Sequence, residues 1–193
     1  KNANAWKANL ENLDLYQSLT RLVLDSITNE KHDANRQNLY NSLYYFTGEL
    51  GNATLVTKDG RNMAKGPTTQ NAFGSGKEGL LDGMKSNFID SIYEKIEKLW
   101  EIKDVEQRNV KTQELIGHLN RIITVGNTNK YTKDVTIPMG TSLEALTDNW
   151  LPNKTQKALE QTFVSEIGNR YTSAMDSMYG EASAKRSVIT KNA

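Results

Sequence analysis

Residues 78–100, EGLLDGMKSNFIDSIYEKIEKLW, carry the clearest periodic pattern in this sequence. Apolar side chains recur there every three or four positions, at Leu81, Met84, Phe88, Ile92, Ile96 and Leu99. Because an α-helix has 3.6 residues per turn, this spacing places them all on one face, with Glu and Lys opposite. We therefore predict a long amphipathic helix that buries one face against other helices.

The segments on both sides show the same period. Upstream, the apolar stripes comprise Trp6, Leu10, Leu13, Leu19, Val23 and Ile27, and then Leu39, Leu43, Phe46 and Leu50. Asp33 or Asn35 is expected to cap the second of these helices. Downstream, helices are predicted over 105–124 and 154–179. A short helix should begin at Thr141, where Glu144 completes a capping box, and end before Pro152.

These segments predict a mainly α protein, an irregular bundle of five to six helices in a single domain over 1–193. Residues 51–79 interrupt the pattern with a long loop that contains either no regular structure or a small β-hairpin around Lys58–Gly60. Residues 125–140 predict an extended segment. Residues 181–193 predict a tail or one more helical turn.

Composition excludes several classes of function. The 193 residues hold 24 Lys and Arg against 23 Asp and Glu, so the chain lacks the surplus of cations typical of a dedicated DNA-binding protein. Cysteine is absent, which excludes thiolate nucleophiles, cysteine-based zinc sites and disulfides. No apolar run is long enough for a membrane span. The chain opens with Lys1 rather than Met, and we expect a soluble fragment of a larger protein, virion-associated or cytoplasmic.

The Gly-Ser-Gly-Lys motif at 74–77 does not form a P-loop. Asn71 occupies the position of the first glycine, and Glu78 stands where a magnesium-binding hydroxyl is required. The motif is instead a glycine-rich loop that precedes a helix. The free backbone N–H groups at the start of that helix can attract an anion. We predict no nucleotide or other cofactor.

No catalytic or metal-binding residue emerges from the two histidines or from the serines. His32 lies in a polar stretch and is expected to be solvated, whereas His118 lies beside apolar helix positions and is expected to pack. The serine-nucleophile motif Gly-x-Ser-x-Gly is missing. The sequence favours a non-enzymatic protein but leaves the question open.

Two groups of residues are candidates for binding. Tyr40, Tyr44 and Tyr45 exceed one narrow helical stripe, so this face is either core or a surface for a protein partner. The basic residues of the long loop and of the tail are candidates for phosphate contacts or are ordinary solubilising charges. They are Arg61, Lys65, Lys77, Lys185 and Arg186.

The last third of the chain resembles segments of large phage and plasmid polyvalent proteins. The resemblance lies in DVTIPMGTSLEALTDNWLP (134–152) and MYGEASAKRSVITKNA (178–193). Its residues are Val135, Ile137, Pro138, Gly140, Leu143 and Leu146, followed by Tyr179-Gly180 ahead of Arg186. Polyvalent proteins combine helicase, methyltransferase and helical spacer domains. The resemblance implies a non-catalytic helical domain of a larger phage-encoded protein.

The leading functional prediction is therefore a non-catalytic helical domain with a structural or protein-interaction role, from a phage-encoded multidomain or virion-associated protein. Its partners would be another protein chain or other domains of the parent protein. The alternative is a nucleic-acid-associated module that contacts phosphates through the 58–77 loop and the basic tail. An enzyme with an anion site near Lys77 is the third hypothesis.

Overall fold

The computed structural model describes residues 15–48, 76–126, 134–148 and 153–178. The helices are α1 Leu15–Thr28, α2 Ala34–Thr47, α3 Gly76–Trp100, α4 Val105–Gly126, α5 Leu143–Asp148 and α6 Asn153–Phe163. A π-helical turn, Val164–Gly168, follows α6 directly, and α-helix resumes over 169–178. The prediction of a mainly α bundle with five to six helices is confirmed.

Helix α3 contributes much of the core and packs against α2, α4, α5, α6 and the π turn. The rings of Phe88 and Phe163 stack at its centre with centroids 4.6 Å apart, and Phe46 meets Phe88 edge-on at 6.5 Å. The apolar face predicted for α3 needs one correction, because Leu80 rather than Leu81 is fully buried. Either of two adjacent leucines satisfies the helical period, so the sequence pattern cannot choose between them.

Local sequence signals predicted one of two helix caps correctly. Asp33 caps α2 as predicted, and its Oδ1 accepts a hydrogen bond from the backbone N of Arg36 at 2.8 Å. The capping box predicted at Thr141 is wrong. The Oγ of Ser142 accepts from the backbone N of Ala145 at 3.1 Å, while the hydroxyl of Thr141 donates to the carbonyl oxygen of Pro138 at 2.6 Å. The turn after Pro138 thus uses the hydroxyl that the box would have needed.

The predicted β elements are not supported. Nearly all of the 51–79 stretch lies outside the described residues, and the described ranges contain no strand. The segment 134–142 runs along α4 and is held by two amide side chains. Asn120 donates to the carbonyl oxygen of Ile137 at 2.7 Å and accepts from its N at 2.8 Å. Gln113 donates to the carbonyl oxygen of Thr141 at 3.0 Å and accepts from the N of Gly140 at 2.7 Å. These side chains supply bonds that a partner strand would otherwise provide.

Among the helices of the described ranges, none has the length and apolar character needed to span a membrane.

Candidate functional site

The π turn interrupts what the sequence predicts as one continuous helix over 154–179. Such turns insert an extra residue into an α-helix and occur often at functional sites. Here the turn brings Gly168 close to α3: a Cβ added to Gly168 would lie 3.0 Å from Cδ2 of Leu81. The turn also places Glu166 and Arg170 beside the connection between α1 and α2, where they form a charged network.

The first half of this network centres on Tyr40. Its hydroxyl donates to Oε2 of Glu166 at 2.7 Å, and Nη2 of Arg36 donates to the same carboxylate oxygen at 3.1 Å. The Glu166 side chain is only 12% exposed. A carboxylate so shielded from water is stable there because an arginine and a hydroxyl both pair with it.

Arg170 forms the second half. Its Nη1 and Nη2 donate to the two carboxylate oxygens of Glu30 at 2.8 and 2.9 Å, which is a bidentate pair. It also donates to the hydroxyl of Tyr40 at 3.1 Å and to Oγ of Ser26 at 3.1 Å. The hydrogen bond from Arg170 lowers the pKa of Glu30. The network therefore connects the α1–α2 region to the π turn, across more than a hundred residues of sequence.

The surroundings of Tyr40 decide what the network can do chemically. A tyrosine hydroxyl flanked by two arginines suggests an activated nucleophile, which needs a lowered pKa. Burial raises the pKa of Tyr40 instead, with a further contribution from the hydrogen bond to Glu166. The residue is only 1% exposed. Tyr40 is thus a neutral hydrogen-bonding centre, enclosed by the chain itself.

His32 also belongs to this region, and the prediction that it is solvated is wrong. Its ring packs against Tyr40 with centroids 4.9 Å apart, and Nε2 lies 2.7 Å from the carbonyl oxygen of Ile27. Because a carbonyl only accepts, Nε2 carries the proton in this contact. The sequence pattern missed His32 because the ring's partners lie on α1 and α2 rather than in its own turn.

His118 packs between helices, as predicted. Arg121 donates to Oγ of Ser42 at 2.8 Å, so the Ser42 hydroxyl is free to donate to Nδ1 of His118 at 2.9 Å. The imidazole stacks on Tyr45 with centroids 4.2 Å apart. Burial lowers the pKa of His118, and the charge of Arg121 adds to the effect. Ser42 is fully buried, which keeps this serine–histidine pair away from any substrate.

The candidate partner residues Tyr44 and Tyr45 are partly buried and pack against the core. Tyr44 stacks on Tyr40 at 6.0 Å, and Lys95 lies 4.9 Å from the ring centre of Tyr45. Both rings keep some exposed area, whereas Tyr40 does not. A partner surface at these tyrosines stays a prediction.

Two open grooves flank the π turn. The first, of about 460 Å³, lies between α1 and residues 165–177 and is lined by Leu22, Ser26, Arg170 and Ser173 among others. The second, of about 370 Å³, lies between α3 and α6 and includes Lys85 and Lys157. In the described part of the chain, no group of three or more His, Asp or Glu residues could hold a metal ion.

Residues 6–193 match the family model described as the helical domain of bacteriophage N4 RNA polymerase. The chain belongs to this family. Comparison with curated proteins and with solved structures returned no match.

The N4 RNA polymerase helical-domain family corrects the functional prediction. The expected non-catalytic structural or protein-interaction domain is wrong as a description of function, because the family is that of an RNA polymerase, which is an enzyme. The phage origin of a helical domain is confirmed, although the matching family is not the polyvalent type that the resemblance named. Apolar and turn residues alone could not distinguish these two kinds of phage protein.

The candidate phosphate contacts mostly lie outside the described residues. This applies to Arg61, Lys65, Lys185 and Arg186. Lys77 is described, and its Nζ forms an exposed ion pair with Asp176 at 2.6 Å. The family match replaces the nucleic-acid-associated module as a description of function, as it does the leading prediction, whereas phosphate contacts at these five residues stay a prediction.

The buried tyrosines of this helical domain predict a loss of stability at alkaline pH. Burial raises the pKa of Tyr44 from 10.0 to about 12 and also raises that of Tyr171. The folded state therefore holds protons that the unfolded state releases above about pH 10. The contribution of these tyrosines to the free energy of unfolding should be constant below that pH and fall as the pH rises from about 10 through about 12. Urea titrations at several alkaline pH values measure this.

Tyr44→Phe serves as the control for that titration, because it removes one ionisable group and keeps the ring. The variant should lose stability less steeply between about pH 10 and 12 than the wild type. Identical pH profiles for the two proteins would contradict the prediction.

Proposed function

We propose that this chain is the helical domain of a phage-encoded RNA polymerase and takes part in RNA synthesis by that enzyme. The observation that carries the proposal is the family match, which extends over residues 6–193. The other domains of the polymerase are its partners in this proposal. The closely paired charges of the network support it, because they hold α1 and α2 against the π turn and the helix that follows it, in a defined arrangement that other domains can pack against.

We further propose that residues 1–193 form a single domain. The support is that buried side chains from all six helices and the π turn belong to one hydrophobic core. A shared core of this kind is what makes a helical unit able to fold by itself. The isolated chain is then a usable reagent for functional experiments.

Complementation in trans tests the proposed function. The polymerase that carries this domain is prepared intact and with residues 6–193 deleted, and RNA synthesis is measured on a phage template. We expect the deletion to reduce RNA synthesis and the separately purified chain to restore part of it. The exposed-site variant Lys103→Gln should restore as much as the wild-type chain.

Full RNA synthesis by the deleted polymerase, with no effect of the added chain, would refute the proposed function. Binding of the chain to the deleted polymerase is measured in parallel by analytical ultracentrifugation. Restored synthesis is expected only under conditions in which the two proteins form a complex.

A further inference from the structure

The groove between α3 and α6 has a row of polar side chains on one wall and a lysine on the other. Lys157, Gln161, Ser165 and Asn169 follow one another at intervals of four residues along α6, the π turn and the start of the helix that follows it. Residues four apart on a helix lie one above the other, so these side chains line the groove along its length. Lys85 of α3 faces them from the opposite wall.

Most of the polar side-chain groups that line this groove do not stabilise the described part of the fold. Within the described residues, the side chains of Lys157, Gln161 and Asn169 make no hydrogen bond or ion pair, and all three are exposed. Ser165 donates to the carbonyl oxygen of Thr162 at 3.1 Å and keeps its lone pairs. The groove thus presents ammonium, amide and hydroxyl groups that are available to a ligand.

We propose that this groove binds the phosphodiester backbone of a nucleic acid. Lysine, serine, asparagine and glutamine are among the side chains that contact phosphate and sugar oxygens. The proposal rests on the proposed function in RNA synthesis and adds the site on this domain where nucleic acid is held. A protein helix fits less well, since protein interfaces rely on buried aromatic and apolar anchors, and Val164 is the one apolar residue among the described residues that line the groove.

Two carboxylates limit the affinity of the groove. Asp82 pairs with Nζ of Lys85 at 2.7 Å, so Lys85 is partly neutralised. Glu160 lies in the groove lining and accepts a hydrogen bond from Gln156 at 3.0 Å. With at most two phosphates neutralised, the logarithm of the binding constant for a single strand should fall with the logarithm of salt concentration with a slope of about −1.4.

Fluorescence anisotropy with the full 193-residue chain tests the site. The probes are labelled single-stranded DNA, single-stranded RNA and duplex DNA of about 20 nucleotides or base pairs, at several salt concentrations. The probe whose binding responds to the groove variants identifies which backbone the groove holds.

Two variants of α6 should change affinity in opposite directions. Lys157→Gln should weaken binding about three- to tenfold and reduce the salt slope by about 0.7, because one phosphate contact is lost. Glu160→Gln should strengthen binding about two- to fivefold, because it removes a negative charge from the groove. A gain in affinity with an unchanged circular dichroism spectrum is not explained by a loss of folded structure. Lys103→Gln, on the α3–α4 connection, is the charge-matched control and should leave affinity unchanged.

Unchanged affinity for all three probes in both Lys157→Gln and Glu160→Gln would overturn the proposal. If Lys157→Gln also weakened binding to the deleted polymerase, the groove would belong to a protein partner instead. The anisotropy measurement uses the isolated chain, whereas the RNA-synthesis assay uses the polymerase. Their outcomes therefore distinguish the groove proposal from the proposed function. Failure to restore RNA synthesis with groove-dependent binding intact would contradict the proposed function alone.

Discussion

Replacing Phe88 with alanine should lower the free energy of unfolding by about 3–5 kcal/mol, the largest effect we expect from a single substitution. Phe88 is fully buried, stacks on Phe163 at 4.6 Å and meets Phe46 edge-on. Truncation removes the transfer free energy of the ring and leaves a cavity beside the rings of Phe46 and Phe163. Urea unfolding followed by circular dichroism measures the loss.

Phe88→Leu is the matched control, because leucine refills most of the space and loses mainly the ring stacking. It should cost about 1–1.5 kcal/mol. A double-mutant cycle with Phe163→Leu should give a coupling of about 0.5–1.5 kcal/mol for the stacked pair. A loss below about 1 kcal/mol for Phe88→Ala would contradict the central position of α3 in the core.

Replacing Arg170 with alanine should lower the free energy of unfolding by about 2–3 kcal/mol. The side chain of Arg170 is 15% exposed and donates to Glu30, Tyr40, Ser26 and the backbone carbonyl of Glu166. Its partner carboxylate on Glu30 is 45% exposed, so solvent screening keeps the effect below that of a fully buried pair.

Arg170→Lys tests whether the stabilisation depends on the positive charge or on the planar guanidinium group, since lysine keeps the charge but lacks the paired donors of that group. It should lose more than half of the stability that the alanine variant loses. Lys111→Ala is the surface control: its pair with Glu114 is nearly half exposed on both sides and should contribute at most about 0.5 kcal/mol. Equal losses for Arg170→Ala and Lys111→Ala would show that the network does not stabilise the fold.

Several elements could be predicted from the sequence because their signals are local. The helix predicted over 105–124 is observed at Val105–Gly126, and Asp33 caps α2 as expected. The packing role of His118 was also predictable, because its apolar neighbours lie within one helical turn. In each case the sequence signal involves residues close in sequence, so periodicity and capping preferences suffice, although the residues that His118 contacts, Ser42 and Tyr45, lie on another helix.

Most of the candidate site could not be predicted from the sequence. The pair formed by Glu30 and Arg170 joins residues 140 positions apart, and no spacing rule connects them. The groove combines Lys85 of α3 with Lys157 of α6, whose proximity follows only from the packing of the two helices. The π turn gave no recognisable signal, since Val164–Gly168 continues the helical period of its neighbours with one residue added.

The amino-acid sequence by itself determined the helical class, the main helix boundaries and the absence of cysteine chemistry, because these depend on composition and on patterns within a few residues. Tertiary packing alone decided that Leu80 rather than Leu81 enters the core and that Tyr40 is enclosed by two arginines and a glutamate. The physical reason is that burial and ion pairing depend on which distant side chains share a small volume, and that is settled when the helices pack.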